Sequence, residues 1–319
     1  MTTTAPSPPE LSVVVAVTSG GLHVDQCLEA LAAQRDAPSL EIIVPIDAWL
    51  PEVDAARWHE RFPEVRLSPM ATAGGSARGD AGPCHLRTDL RRAAGLAAAS
   101  APIVALTEDH ARPAPDWCRN IVRAHAALPH AAIGGAIDNA SPELLARAVH
   151  LCDFGRYQRP LPSGPADFVS DVNVSYKRSA LEAVSAHWRD GYHEPAVHQA
   201  LCARGGVLWL DPSIVVEQQR GPLELLPCLH ERYAWARLYA GKRCDELSRG
   251  QRAARALLAP LLPAVLFARQ LRGAWTRRRG ENACALPLVA ILLCAWSIGE
   301  AVGYWTGRPA ARDTQGTAA

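Results

Sequence analysis

Residues Ile103 to His110 read IVALTEDH, a short apolar run that passes without a break into two carboxylates and an imidazole. Ile103 to Leu106 has the character of a short buried strand. Thr107-Glu108-Asp109-His110 then forms a loop bounded by Pro113 and Pro115, and Asp116 to Leu128 follows as a helix expected to start on an Asp cap. Upstream, Leu11 to Val17 (LSVVVAV) is a β-branched run of the kind buried on both faces. Thr18-Ser19-Gly20-Gly21 ends it, and Val24, Leu28 and Leu31 then fall at i, i+4 and i+7, the spacing of one helix face. Leu40 to Ile46 (LEIIVPI) is a second strand ending at Asp47, and Val65 to Leu67 reads as a short third. A Gly-rich loop (Ala73 to Pro83) and a helix (Leu86 to Ala99) lead back to the opening stretch. Alternating strand and helix predict an α/β domain with a largely parallel sheet. Ligands of such sheets sit beyond the carboxyl ends of the strands, where Asp47 and the Glu108–His110 turn both fall.

Composition limits the alternatives. The chain has 319 residues, 49% of them apolar and 20% charged, enough for a sizeable core and against global disorder. Its 33 basic and 32 acidic residues leave a net charge of +1, so no nucleic-acid partner is expected. The nine cysteines show no CxxC pair and no zinc spacing, and are read as reduced. Met1 to Glu10 has neither a basic n-region nor an apolar h-region, so 1–10 is expected to be a flexible lead-in and the body cytosolic. No GxGxxG follows the first strand, and neither a Walker A sequence nor a GxSxG elbow is present.

A strand, a helix, a strand ending in Asp, an Arg-containing helix ending in Gly95 (RRAAGLAAASAPIVAL) and an acidic turn followed by ARPAPDW together resemble a family 2 glycosyltransferase of the GT-A fold. The resemblance runs from about Leu11 to Arg243 and is most specific from Arg91 to Trp117. It carries Glu108-Asp109-His110 where the family usually has Asp-Asp-Asp or Asp-x-Asp. What it implies is a nucleotide-sugar donor, expected to be UDP-linked, bound by Thr18, Asp47, Arg91, Glu108, Asp109 and Asn173. Asp109 and His110 would hold a divalent ion, Mn²⁺ or Mg²⁺, and the imidazole favours Mn²⁺. A carboxylate-held metal neutralises a departing diphosphate as a Lewis acid. If metal dependence is weakened instead, arginines share that load.

Asp171-Val172-Asn173-Val174-Ser175 resembles the family's strand near the sugar, with Asp171, Asn173 and Ser175 on one face, which would otherwise face solvent. Glu194 stands where the family places its general base. His198, one helical turn on, is a second candidate or a group that orients Glu194, and Asp171 is a third. Glu194 could equally complement a helix dipole. His230 to Arg243 (HERYAWARLYAGKR), with Arg232, Arg237 and Arg243, is similar to the segment that approaches the diphosphate, unless its arginines form a solvated face. The processive QxxRW signature is missing, which favours single addition.

Beyond Ala253 the chain alternates apolar runs with arginines. Ala256 to Leu271 is short and contains Pro260 and Pro263, whereas Ala283 onward is apolar to Trp305 apart from Glu300. An interfacial first segment and one span at 284–305 are expected, with two spans or a soluble helical hairpin as alternatives. The domains are therefore placed at 11–245 for the transferase and 246–319 for membrane-associated helices and a polar tail. The expected protein is an inverting glycosyltransferase at the cytoplasmic face of the cell inner membrane. It would serve a lipid-linked or cell-envelope glycan acceptor. The alternative is a non-catalytic sugar-nucleotide-binding or scaffold protein of the same fold.

Overall fold

The computed structural model of the chain describes residues 8–48, 50, 52–70, 84–244, 247–268 and 282–307. The expected Gly-rich loop 73–83, residues 1–7 of the lead-in, the arginines between 269 and 279 and the tail beyond 307 lie outside the described residues.

In chain order the elements are β1 (Leu11–Ala16), α1 (Leu22–Ala32), β2 (Leu40–Ile46), α2 (Glu52–Arg61), β3 (Val65–Pro69), α3 (Cys84–Ala98), β4 (Ile103–Glu108), β5 (Ala111–Pro113), α4 (Trp117–Ala127) and β6 (Ala132–Asn139). There follow α5 (Leu144–Phe154), β7 (Gly164–Pro165), β8 (Val174–Lys177), α6 (Arg178–Ala183), α7 (Glu194–Ala203), β9 (Leu208–Gln218), α8 (Leu225–Arg243), α9 (Arg249–Leu258) and α10 (Leu286–Thr306).

The chain forms two compact units, one of residues 1–138 and 160–219, the other of 139–159 and 220–319. This division differs from the expected boundary at 245, because α5 and α8 belong with the C-terminal helices.

The first unit is built on one sheet in the order β3-β2-β1-β4-β8-β6-β9-β5, with β7 also paired to β9. β3, β2, β1 and β4 are parallel, as the strand–helix alternation predicts. β1 is buried at every position, and each fully buried Val or Leu contributes about 1.5–3 kcal/mol. β8 runs antiparallel to both β4 and β6, with Leu106 opposite Val174. Its reversed direction brings the start of β8 to the edge where β4 ends. β9 ends near that edge too, since Gln218 pairs with Ala111 just past the acidic turn. Gly95 lies inside α3 rather than at its end: a Cβ there would stand 2.2 Å from Val14 Cγ1, so only glycine lets α3 press onto β1. The expected Asp cap on α4 is not formed. Asp116 precedes the helix without a side-chain capping bond and pairs with Arg119 at 2.9 Å.

In the second unit α10 lies along α8. A Cβ on Gly299 would approach the Tyr233 carbonyl oxygen to 2.3 Å, and one on Gly303 the Arg237 carbonyl oxygen to 2.7 Å, so small residues set the helix spacing. Ala283–Thr306, with mean hydropathy 2.0, is the helix among the described residues long and apolar enough to cross a membrane. Arg232 is committed to Asp153 of α5 by two bonds at 2.5 and 2.7 Å. Burial would raise the Asp153 carboxyl, but the Arg232 guanidinium outweighs it and holds it below its ordinary range. Asp153→Asn is expected to cost about 3 kcal/mol, because Arg232 and Arg220 lose their counter-charge. Thermal unfolding of the variant checks this.

Candidate active site

The carboxyl ends of β1, β2 and β4 meet the start of β8 at one edge, and the predicted acids collect there. Asp109 follows β4 directly and is 1% exposed. Its Oδ1 accepts the Thr18 N–H at 2.9 Å and the Thr18 hydroxyl. Its Oδ2 accepts the N–H groups of Ser19 at 2.9 Å and Gly20 at 2.8 Å. Gly20 and Gly21 adopt φ of +78° and +59°, the left-handed turn that aims these amides inward. Thr18 and Asp109 are thus brought together, as partners of each other.

His110 packs beside this loop. Its Nδ1 lies 3.0 Å from the Gln219 carbonyl and its Nε2 2.8 Å from the Ser19 hydroxyl. A carbonyl only accepts, so Nδ1 carries the proton and Nε2 takes the hydroxyl hydrogen in the neutral ring. The ring of His23, at the head of α1, stands 4.2 Å from that of His110, centroid to centroid. No motif pointed to His23; its place just after the first glycine turn was the available signal.

Asp47 and Arg91 also meet. Arg91 Nε and Nη2 reach the two Asp47 oxygens at 2.9 and 2.8 Å, and Nη1 donates to the Val17 carbonyl. This bidentate clamp ties α3 to the ends of β1 and β2. Arg92, the next residue, turns to the other side. It reaches Asp171 at 2.9 Å, Asp89 at 3.3 Å and Glu108 at 3.5 Å. Burial works against its charge, but the three carboxylates outweigh it and hold the guanidinium more firmly protonated than usual. Glu108 also accepts from the Gln218 amide. Sequence reasoning missed Arg92 and Gln218: the first lies beside a residue already assigned, and the second arrives from β9.

Glu194 begins α7, and its Oε2 accepts the Asp171 N–H at 3.1 Å. The base candidates therefore stand together and differ in access. The Glu194 side chain is 22% exposed and that of His198 2%. His198 Nε2 lies 2.7 Å from the Tyr176 hydroxyl, which lies 2.6 Å from that of Tyr192, while Nδ1 faces Glu194 Oε1 at 4.0 Å. Burial pushes the His198 imidazole down to about 4 and both phenols up. Asp171 carries the Arg92 ion pair. Glu194 and Asp171 are equally exposed at 22%, and the Arg92 ion pair held by Asp171 leaves Glu194 the better base candidate, with His198 behind it.

Asn173 differs from expectation. It is 1% exposed, its carbonyl oxygen accepts from Trp117 Nε1 at 2.8 Å, and its amide donates to the Ala136 and Ile214 carbonyls at 2.9 and 3.0 Å. With these bonds made in the core it joins strands and cannot contact a sugar. Ser175 is equally buried, between the Ile133 carbonyl and His125 Nε2, so the face they share is neither sugar-binding nor solvated.

His125 and His198 predict how stability depends on acid. Burial pushes each imidazole from 6.5 to about 4, with Lys177 adding to the effect at His125. The unfolded chain then binds more protons than the folded one between these pH values, so stability is complete above pH 6.5 and falls as pH drops toward 4. The loss is up to about 3 kcal/mol for each imidazole. Denaturation midpoints across that window check it, and replacing His125 with Gln is expected to flatten the dependence.

The two residues expected to hold a divalent ion, Asp109 and His110, are both engaged by protein groups. Among the described residues no group of three or more His, Cys, Asp or Glu side chains is arranged to hold one. The Asp109 oxygens are engaged by the β1–α1 loop, and Glu108 faces Gln218 and the Arg92 cation.

No family model and no curated protein sequence matches the chain. Among solved structures it is similar to the mannosyltransferase PcManGT from Pyrobaculum calidifontis, in complex with GDP-Man and Mn²⁺. The TM-score is 0.52 and the identity 17%, over 92% of this chain and 87% of that one. The expected GT-A-type α/β fold, a mostly parallel sheet flanked by helices, is the one the chain adopts.

Proposed function

We infer that the chain is a family 2-like glycosyltransferase that moves a sugar from a nucleotide donor to an acceptor with inversion. The observation that carries this is the partly exposed Glu194 carboxylate, joined through Asp171 and Arg92 to Glu108 at the end of β4. In a fold shared with a GDP-Man transferase, that edge is where a donor would lie. The acceptor oxygen attacks the anomeric carbon, and the bond from that carbon to the diphosphate breaks with its electron pair leaving on the diphosphate. Glu194 takes the acceptor proton. Asp171 N–H holds the carboxylate in place, and the buried Tyr176–Tyr192 pair fixes His198 behind it. Asp47 and Arg91 shape the floor on the nucleoside side. A divalent ion, where bound, would supply Lewis acidity to the departing diphosphate.

The acceptor we favour is lipid-linked or a cell-envelope glycan, because the apolar Ala283–Thr306 helix suits attachment to the inner membrane with the sheet unit on its cytoplasmic side. The imidazole of His110, where the resembling family usually carries a third acid, favours a second reading, a non-catalytic sugar-nucleotide binder. Thermal-shift titration with UDP-, GDP- and dTDP-sugars tests both readings. Stabilisation by one donor class is expected, UDP being the first choice from the sequence and GDP from the structural neighbour. No shift with any donor contradicts nucleotide-sugar binding altogether.

A further inference from the structure

α10 is long enough to cross a bilayer, but α8, the helix packed along it, is too charged to accompany it. Gly299 meets the Tyr233 carbonyl and Gly303 the Arg237 carbonyl, so α8 runs beside α10 in the same direction. A span would centre near Trp296, the middle of Leu286–Thr306. At ~1.5 Å of rise per residue, Glu231 and Arg232 of α8 would then lie within about 5 Å of the bilayer middle. Arg232 carries its ion pair with Asp153, and Glu231 is exposed. An exposed carboxylate at that depth is strongly unfavourable.

Exposure on α10 follows a single face. Ile291, Cys294, Ile298 and Trp305, at i, i+3, i+7 and i+14, are exposed, whereas Val289, Leu292, Leu293 and Tyr304 are buried. Glu300 is about two and a half turns from Ile291 and so stands on the opposite side, where it accepts from Trp296 Nε1 at 2.8 Å. The helical stretch 249–268 widens the exposed face. Ser297 Oγ donates to the Ala259 carbonyl at 2.6 Å and Arg252 Nε to the Tyr304 carbonyl at 3.4 Å, which lays this stretch antiparallel along α10. Leu257, Leu258, Leu261 and Val265 recur on one side of it and are 59% to 74% exposed. Between the helices, Ala256 and Leu257 face Ala301, Val302 and Trp305 across an apolar groove of about 300 Å³. α9 carries Arg249, Arg252 and Arg255 and no acid, and Arg255 lies over the Tyr304 ring, next to Trp305.

We propose that α10 does not cross the membrane, and that α9 and α10 together form an in-plane docking face for an anionic bilayer leaflet. The two apolar stripes enter the acyl region, Trp305 sits at its boundary with the headgroups, and the α9 arginines meet lipid phosphates. Glu300, on the far side of α10, and Glu231 on α8 then stay clear of hydrocarbon. The inference rests on the membrane attachment proposed above and is independent of the transferase chemistry.

The native Cys284, which is exposed, and a Thr306→Cys substitution mark the two ends of α10. Full-length protein in inside-out and in right-side-out membrane vesicles is treated with an impermeant maleimide, and labelled peptides are read by mass spectrometry. Both cysteines are expected to label in inside-out vesicles and neither in right-side-out ones. One cysteine labelled from each side shows a span and overturns the proposal while keeping membrane attachment. Flotation of the purified chain with phosphatidylcholine vesicles, with and without phosphatidylglycerol, is the second arm. The anionic vesicles should bind about tenfold more tightly. Leu261→Asp and Ile298→Asp should each weaken that binding about tenfold with the melting temperature unchanged, both side chains being exposed. Equal flotation of the parent and both variants overturns the proposal. So does a parent chain that does not float but forms a dimer by sedimentation velocity, lost in Leu261→Asp, which assigns the face to a second copy. Absence of the chain from membranes and from floated vesicles overturns membrane attachment and this inference together, and leaves nucleotide-sugar binding untouched.

Discussion

Glu194→Gln is expected to lower sugar transfer by about 10²–10⁴-fold, the usual contribution of a positioned general base, with donor affinity and melting temperature close to those of the parent chain. The reason is local. The glutamine carbonyl keeps the bond from the Asp171 N–H, so the start of α7 stays in place, but the amide cannot take the acceptor proton. His198 cannot substitute, being buried, neutral and turned to Tyr176. His198→Gln is a separate case, that of a positioning residue. Its effect should fall on kcat and on the pH profile of transfer, with KM for the donor little changed. Initial-rate measurements on both variants decide. Parent-like kcat in Glu194→Gln would remove Glu194 from the base role and return Asp171 as the remaining acid at that position.

Arg92→Met is expected to be the most destabilising substitution at the site. Removing one partner from a buried ion pair costs about 3–5 kcal/mol, and here Asp171, Glu108 and Asp89 share the one guanidinium. Left without it, three carboxylates converge at the end of β4 and repel one another. A fall in melting temperature of about 10 °C follows from the size of that loss. Arg92→Lys should recover only part of it, because a point charge cannot bridge three carboxylates as a planar fork does. Differential scanning calorimetry of the two variants distinguishes this from a simple volume effect. Equal stability of Arg92→Met and the parent would show that the network carries no net stabilisation.

Much of this arrangement was legible in the sequence. The β-branched runs at Leu11 and Leu40 and the Val24, Leu28, Leu31 stripe of α1 sit in the core as their periods require. Asp47 and Glu108 are at strand ends because the apolar runs stop at them. The antiparallel sense of β8 was hidden, since a strand's direction depends on the length and path of its connections rather than on its own residues. The partners of the polar groups were hidden for a related reason. Arg91 and Arg92 are adjacent and chemically identical, and only their different directions on α3 send one to Asp47 and the other to Asp171 and Glu108. Asn173 alternates with apolar residues as a ligand-facing position would, but the Trp117 indole and the Ala136 and Ile214 carbonyls reach it from α4, β6 and β9. Asp109 was read as a metal ligand from its place in the acidic turn. That reading could not anticipate that the β1–α1 loop would fold its amides onto the same oxygens.

The most direct measurement is transfer itself. Full-length protein in membranes, supplied with radiolabelled UDP-, GDP- and dTDP-sugars and a lipid extract, should release nucleoside diphosphate from one donor class and move label into the organic-extractable fraction. The Glu194→Gln protein should do neither above background. Donor binding with neither label transfer nor donor hydrolysis, in chelator and in Mn²⁺ alike, would contradict a glycosyltransferase and leave a sugar-nucleotide-binding protein in its place.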